Sequence, residues 1–169
     1  MGIYFNMNTQ KAIETVLWVV QQGEDNLYNI MKILFAAEKY HLNRYGRPIT
    51  GDRYIAMPFG TVPSWIYDAT KLKSQGFGFY KCENSIIAER APVDNYFSES
   101  DKEALQFGYD EYAGKTFNEV KEKNHKEPAW VKANENYQNG GSADIAFEDI
   151  IEEDWLREEL EFLAPTIVL

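Results

Sequence analysis

The chain has 169 residues, 44% hydrophobic and 15% aromatic, with a formal net charge of −10. That is the make-up of one globular domain able to bury its own core without staples. The acidic balance argues against a phosphate backbone as the main partner, because such contacts need clustered Lys and Arg; it suits a solvated surface or attraction to a basic partner. A single cysteine, Cys82, forms no intramolecular disulfide and no all-cysteine zinc site, which points to a reducing cytoplasm. The first eight residues lack a signal-peptide pattern, and the longest apolar runs, such as Val16 to Val20, are too short to span a bilayer.

In chain order, Thr9 to Gln22 puts Ala12, Ile13, Val16, Leu17 and Val20 on one helical face, ended by Gly23. Asp25 or Asn26 caps a second helix striped by Leu27, Ile30, Met31, Leu34, Ala37 and Leu42, which stops at Gly46 ahead of Pro48. Arg53 to Met57 reads as a short strand broken at Gly60. Thr61 is the expected N-cap of a third helix reaching Lys73, with Pro63 in its first turn. Phe77 to Lys81 and Ile86 to Arg90 predict a hairpin around a four-residue loop, Cys82 to Ser85. The strand near Tyr54 is expected to join this hairpin in one small sheet.

Ser98 and Asp101 predict a capping box opening a helix lined by Leu105, Gly108, Tyr109 and Tyr112. Thr116 and Glu119 predict a second box, on a helix ended by Glu127-Pro128. Asn134 to Ser142 reads as a loop, and Ile145 to Ala164 as one terminal helix stopped by Pro165. The expected class is α+β and mainly α-helical, with a small antiparallel sheet or hairpin and an acidic C-terminal helix. The first six elements follow the order of a winged helix-turn-helix. That likeness is topological and does not itself confer a function.

Residue chemistry gives little support to an enzyme. His41 and His125 are the only histidines, and neither has a His or Cys partner at ligand spacing, so packing or hydrogen-bonding roles are expected and no cofactor or metal. Asp52 follows Gly51 in a turn, where a carboxylate usually accepts from nearby backbone amides. The expected third helix carries its cations, Lys71 and Lys73, at the far end, and the hairpin offers Lys81 and Arg90 beside Glu83 and Glu89. A winged-helix DNA-binding regulator is therefore the alternative reading, with a poor phosphate-contact face. Residues 142–169 hold nine carboxylates against Arg157 alone. Like charges at helical spacing weaken an isolated helix, so this segment is expected to lean on packing or on a partner. As a binding surface it would offer Trp155 and Leu156 as apolar anchors, with Glu152, Glu153 and Glu159 as the charged rim. As a plain solvated face it would offer nothing.

The segment KILFAAEKYHLNRYGRPITGDRYIAMPFGTVPSWI, residues 32–66, resembles the hallmark of the SocA-like Panacea family of antitoxins. His41, Leu42, Tyr45, Gly46, Pro48, Asp52, Gly60 and Pro63 match as they stand; Thr61 departs from the family's usual proline. Downstream, Ser98-Glu99-Ser100 and the run from His125 through Pro128 to Trp130 resemble two further motifs of the family. The likeness covers most of residues 24–132, giving a Panacea domain over 8–132, a loop over 133–141 and an acidic extension over 142–169. It implies an antitoxin that meets its toxin by direct protein contact. It also brings a possible protease-adaptor link, as in one member. The motif residues are expected to be structural: Gly46 and Gly60 in turns, Asp52 in a turn or cap, Trp130 packed beside His125.

Overall fold

The computed structural model describes residues 2–72, 76–135 and 141–169; Lys73 and most of the expected loop after Asn134 lie outside them. Helix α1 (Thr9–Gln22) opens with the Asn8 side chain accepting from the Lys11 amide and closes at left-handed Gly23. Helix α2 (Leu27–Tyr45) is capped in the same way by Asn26 and Gly46. The stripe read from the sequence faces inward: Val16, Leu17, Ile30 and Ala37 are fully buried. Helix α4 (Glu99–Tyr112) opens with the Ser98–Asp101 capping box and crosses α2 at Gly108. A Cβ on Gly108 would lie 2.3 Å from the Ile33 carbonyl oxygen, so the crossing depends on a bare α-carbon.

Strands β1 (Tyr54–Met57) and β2 (Gly60–Pro63) form a hairpin, and β5 (Ala143–Ile145) pairs with the other edge of β1, all antiparallel. Strands β3 (Phe79–Cys82) and β4 (Ser85–Ala88) form a separate pair around a two-residue turn, Glu83-Asn84, not the expected four-residue loop. Glu83 takes a positive φ of 54° there. The expectation that the Tyr54 strand joins this hairpin fails because both edges of β1 are already taken. The β3–β4 hairpin is tied instead to the start of α2, through Leu27 N to the Asn84 carbonyl and Ile86 N to the Asp25 carbonyl, both 2.8 Å.

Helix α3 (Ser64–Lys71) has its N-cap at Pro63, two residues later than the expected Thr61, because Thr61 belongs to β2. Helix α5 (Phe117–Asn124) opens with the Thr116–Glu119 box. Pro128 does not end α5 but begins the next helix, α6 (Pro128–Glu135), where its missing N–H costs nothing.

The C-terminal segment is not one helix. After β5 come α7 (Phe147–Ile150) and α8 (Asp154–Leu163), separated by extended backbone at 151–153. The break falls at Glu152 and Glu153, where the chain turns Ile150 and Ile151 into the core before α8 begins at Asp154. Ile145, Phe147, Ile150, Leu156 and Leu160 form a second core with Phe35, Leu42, Tyr54 and the N-terminal Ile3 and Phe5. The Asn8 side chain donates to the Leu169 carbonyl at 2.7 Å, fastening the two chain ends together.

Candidate functional site

The motif residues fall into two groups, one around the C-terminal end of α2 and one at the β1–β2 turn, and most are spent on the protein itself. His41 is completely buried. Its Nδ1 lies 2.7 Å from the Arg47 carbonyl, so that nitrogen carries the proton, and Nε2 accepts from the Ser100 hydroxyl at 2.9 Å. Burial lowers the His41 pKa, which keeps the ring neutral. Asp101 is also buried and gathers two cations, Lys11 Nζ at 2.8 Å and Arg47 Nη1 at 3.0 Å, with Nε2 of the neutral His41 ring 3.4 Å away. Burial alone would raise its carboxyl, but the Lys11 ammonium, the Ser98 amide and Arg47 outweigh that and hold it below the ordinary value. Its Oδ1 has the Arg47 guanidinium beside it but no aligned hydrogen bond. The sequence placed no partner beside His41; the fold supplies Ser100 and Asp101 from α4. The serine and the acid both meet Nε2, and Nδ1 is taken by a backbone carbonyl.

Asp52 does not approach either histidine. Its two oxygens accept from the amides of Trp65 and Ile66 at 2.9 and 3.0 Å, so it caps α3 from across the turn, in place of Thr61. Burial pushes its carboxyl up to about 6 against the pull of those amides. Glu38, wholly buried, accepts from the amides of Thr50 and Gly51 and is pushed up to about 7 by the same desolvation. Gly46 and Gly60 both have positive φ, and Pro48 and Pro63 are buried beside them. Tyr45 is exposed, and its hydroxyl donates to Glu103.

His125 and Trp130 stack with ring centroids 3.9 Å apart and planes 10° from parallel. His125 Nε2 lies 2.9 Å from the Pro58 carbonyl, and Trp130 Nε1 donates to the Met57 carbonyl at 2.9 Å. Together they fasten α5 and α6 to the β1–β2 turn. Trp130 is buried and His125 half-buried.

The residues proposed for partner contact divide. Leu156 is 3% exposed and packs into the second core, so it is not available as an anchor. Trp155 is 61% exposed and Phe162, which sequence reasoning did not single out, is 78% exposed. At about 100° per residue, Trp155 and Phe162 share one outer stripe of α8, and Leu156 and Leu160 share the inner one. Once the helix start at Asp154 is known, that seven-residue spacing identifies Phe162. Glu152, Glu153 and Glu159 are exposed around the stripe, with Glu152 Oε1 3.6 Å from Lys39 Nζ. Of the cations named for nucleic-acid contact, Lys71 pairs with Asp68 and Arg90 with buried Glu14 at 2.7 Å, Lys81 forms no ion pair among the described residues, and Lys73 lies outside them.

The arrangement is that of a small helical α+β protein whose buried polar groups hold its own turns and helix starts, and whose distinctive exposed chemistry is an acidic, aromatic helix face. The family described as antitoxin SocA-like, Panacea domain, matches residues 30–131. That is more than half of the chain, which therefore belongs to this family. No curated protein and no solved structure matches it. Among the described residues, no helix is long and apolar enough to cross a membrane.

Proposed function

We propose that the chain is the antitoxin of a toxin–antitoxin pair, and that it neutralises its toxin by direct, non-covalent binding. Family membership supports the antitoxin role. The single observation that carries the binding mode is the outer stripe of α8, where Trp155 and Phe162 stand exposed in a segment whose nine carboxylates face only one arginine. Large aromatic side chains at the centre of an interface commonly dominate its affinity. Carboxylates around them steer a basic partner and mainly raise the association rate, an effect that shrinks with salt. Direct binding also accords with the motif residues: both nitrogens of His41 and both oxygens of Asp52 are already committed.

Removing residues 142–169 would not test this, since β5 and the inner face of α8 belong to the fold. The test is substitution on the outer stripe. Trp155→Ala with Phe162→Ala should leave thermal stability within about 1 kcal/mol, the range for surface changes, and weaken toxin binding at least tenfold. A double variant that protects cells and binds the toxin as the wild type does would move the interface elsewhere.

A further inference from the structure

A cleft of about 1030 Å³ lies between the N-terminal half of α2, the β1–β2 turn and the start of α5. Its wall is aromatic. Tyr28 packs on Phe117 with ring centroids 4.7 Å apart, and Phe59 meets the same ring at 5.3 Å. Phe59 and Phe117 are 53% and 46% exposed, so they stand at the mouth. Lys32 also lines the cleft but is only 1% exposed, with Nζ 4.3 Å over the Tyr28 ring and Cε against Gly60.

A lysine buried this far is normally paired with a carboxylate. The ion pairs of the protein use other cations, among them Lys11, Lys39, Arg90 and Lys123; among the described residues, Lys32 forms none. The stretches outside the description contain no Asp or Glu. Two more lining lysines, Lys81 and Lys115, form no ion pair among the described residues either. The one carboxylate of the lining, Glu24, is already held by Asn29 Nδ2 at 2.7 Å and by the Gly114 amide at 3.0 Å. Burial also pushes the Lys32 ammonium down to about 7, a desolvation that a bound anion would offset. On a chain of net charge −10 this cleft gathers unmatched positive charge behind an apolar mouth.

We infer that the cleft is a docking site for a partner segment carrying an Asp or Glu side chain between apolar residues. The carboxylate would seat on Lys32, and its neighbours would rest on Phe59, Phe117 and Tyr28. The depth of Lys32 behind the aromatic mouth favours a carboxylate on a stem, lowered from a chain that stays at the surface. This deepens the protein-binding reading and rests on it, but it names a second surface. Asn43, whose side chain accepts from the Glu152 amide just ahead of α8, lies eleven residues along α2 from Lys32. At 1.5 Å per residue that is roughly 16 Å along the helix.

The test is an amide-resolved NMR titration of the full chain with blocked tripeptides, acetyl-Leu-Glu-Leu-amide against acetyl-Leu-Gln-Leu-amide. The Glu peptide should shift the signals of Lys32, Phe59 and Phe117 and bind at least tenfold more tightly than the Gln peptide. Lys32→Met, which puts an apolar chain of similar length in a buried place, should bring that ratio to about one. Equal binding of the two peptides by the wild type would overturn the inference, as would shifts confined to another face or a ratio that survives Lys32→Met. Sodium acetate or acetyl-Leu-Leu with a free carboxyl terminus, if as tight as the Glu peptide, would overturn it too. Should Lys32→Met fail to fold, the wild-type ratio and the map of shifted signals decide. No toxin enters these titrations, so their failure leaves the antitoxin reading standing. Loss of neutralisation with intact peptide binding would instead sink that reading.

Discussion

Gly60→Ala is expected to be among the most damaging single-methyl changes in this protein. Gly60 begins β2 with φ +127°, a conformation L side chains rarely adopt, and forcing a residue there costs about 1–3 kcal/mol. The added Cβ would lie 2.2 Å from Asn124 Oδ1 and 2.8 Å from Lys32 Cε. Lys32 can shift its stem, but Asn124 cannot move freely. Its Oδ1 accepts from the Thr61 amide at 2.7 Å, and its Nδ2 donates to Thr61 Oγ1 and the Tyr112 hydroxyl. Displacing it leaves the buried Thr61 amide unpaired, at about 1–3 kcal/mol. The two effects together give a loss of about 2–6 kcal/mol, read as a lower urea midpoint at unchanged slope. Gly114→Ala is the control: φ is +71° but nothing lies within 4 Å of the new methyl, so only the backbone cost applies. If Gly60→Ala is no more destabilised than Gly114→Ala, the close packing of Gly60 on Asn124 is refuted.

Asp52→Ala should cost about 1–2 kcal/mol by uncapping α3, and Asp52→Asn, which keeps one acceptor but sets an NH2 donor against the second amide, should recover only part of it in urea melts; an Ala variant as stable as the wild type would speak against the cap. Trp130→Ala should lose about 3–5 kcal/mol of unfolding free energy by calorimetry, as for other large aromatic truncations in cores. Lys32 gives a pH signature. Its folded pKa of about 7 lies below the ordinary 10.5, so the folded state binds fewer protons than the unfolded chain between these values. The penalty from this group is full below pH 7 and fades as pH rises toward 10.5, with a ceiling on the order of 5 kcal/mol. Melting temperatures should therefore show Lys32→Met gaining most over the wild type at pH 6 and least at pH 9.5; a pH-independent difference would contradict this.

Local signals carried much of the fold. The cap Asn26 and the box pairs Ser98–Asp101 and Thr116–Glu119 each start a helix where expected, because capping depends on neighbours three residues apart. Long-range pairing was not legible. Nothing in Ala143–Ile145 announces that it fills the free edge of β1, and so nothing showed that the Phe79–Ala88 hairpin would be excluded from that sheet. Capping from a distance was hidden for the same reason: Asp52 holds α3 across thirteen residues, while the adjacent Thr61 looked like the cap. On the terminal segment, hydrophobicity alone made Trp155 and Leu156 equivalent anchors. Only the packing of α8 separates them, turning Leu156 into the core and leaving Trp155 with Phe162 outside. Nothing in the sequence singles out Lys32; its burial over Tyr28 required the fold.

The central claim is that this chain silences a toxin by holding it, leaving it chemically intact. The direct measurement is to co-express it with a toxin from which it protects cells, recover the complex, separate the two proteins in denaturant, and determine the mass and activity of the refolded toxin. The account predicts a stoichiometric complex, a toxin of unmodified mass, and full return of toxicity once the antitoxin is gone. A toxin that emerges covalently altered, or stays inactive after separation, would contradict it.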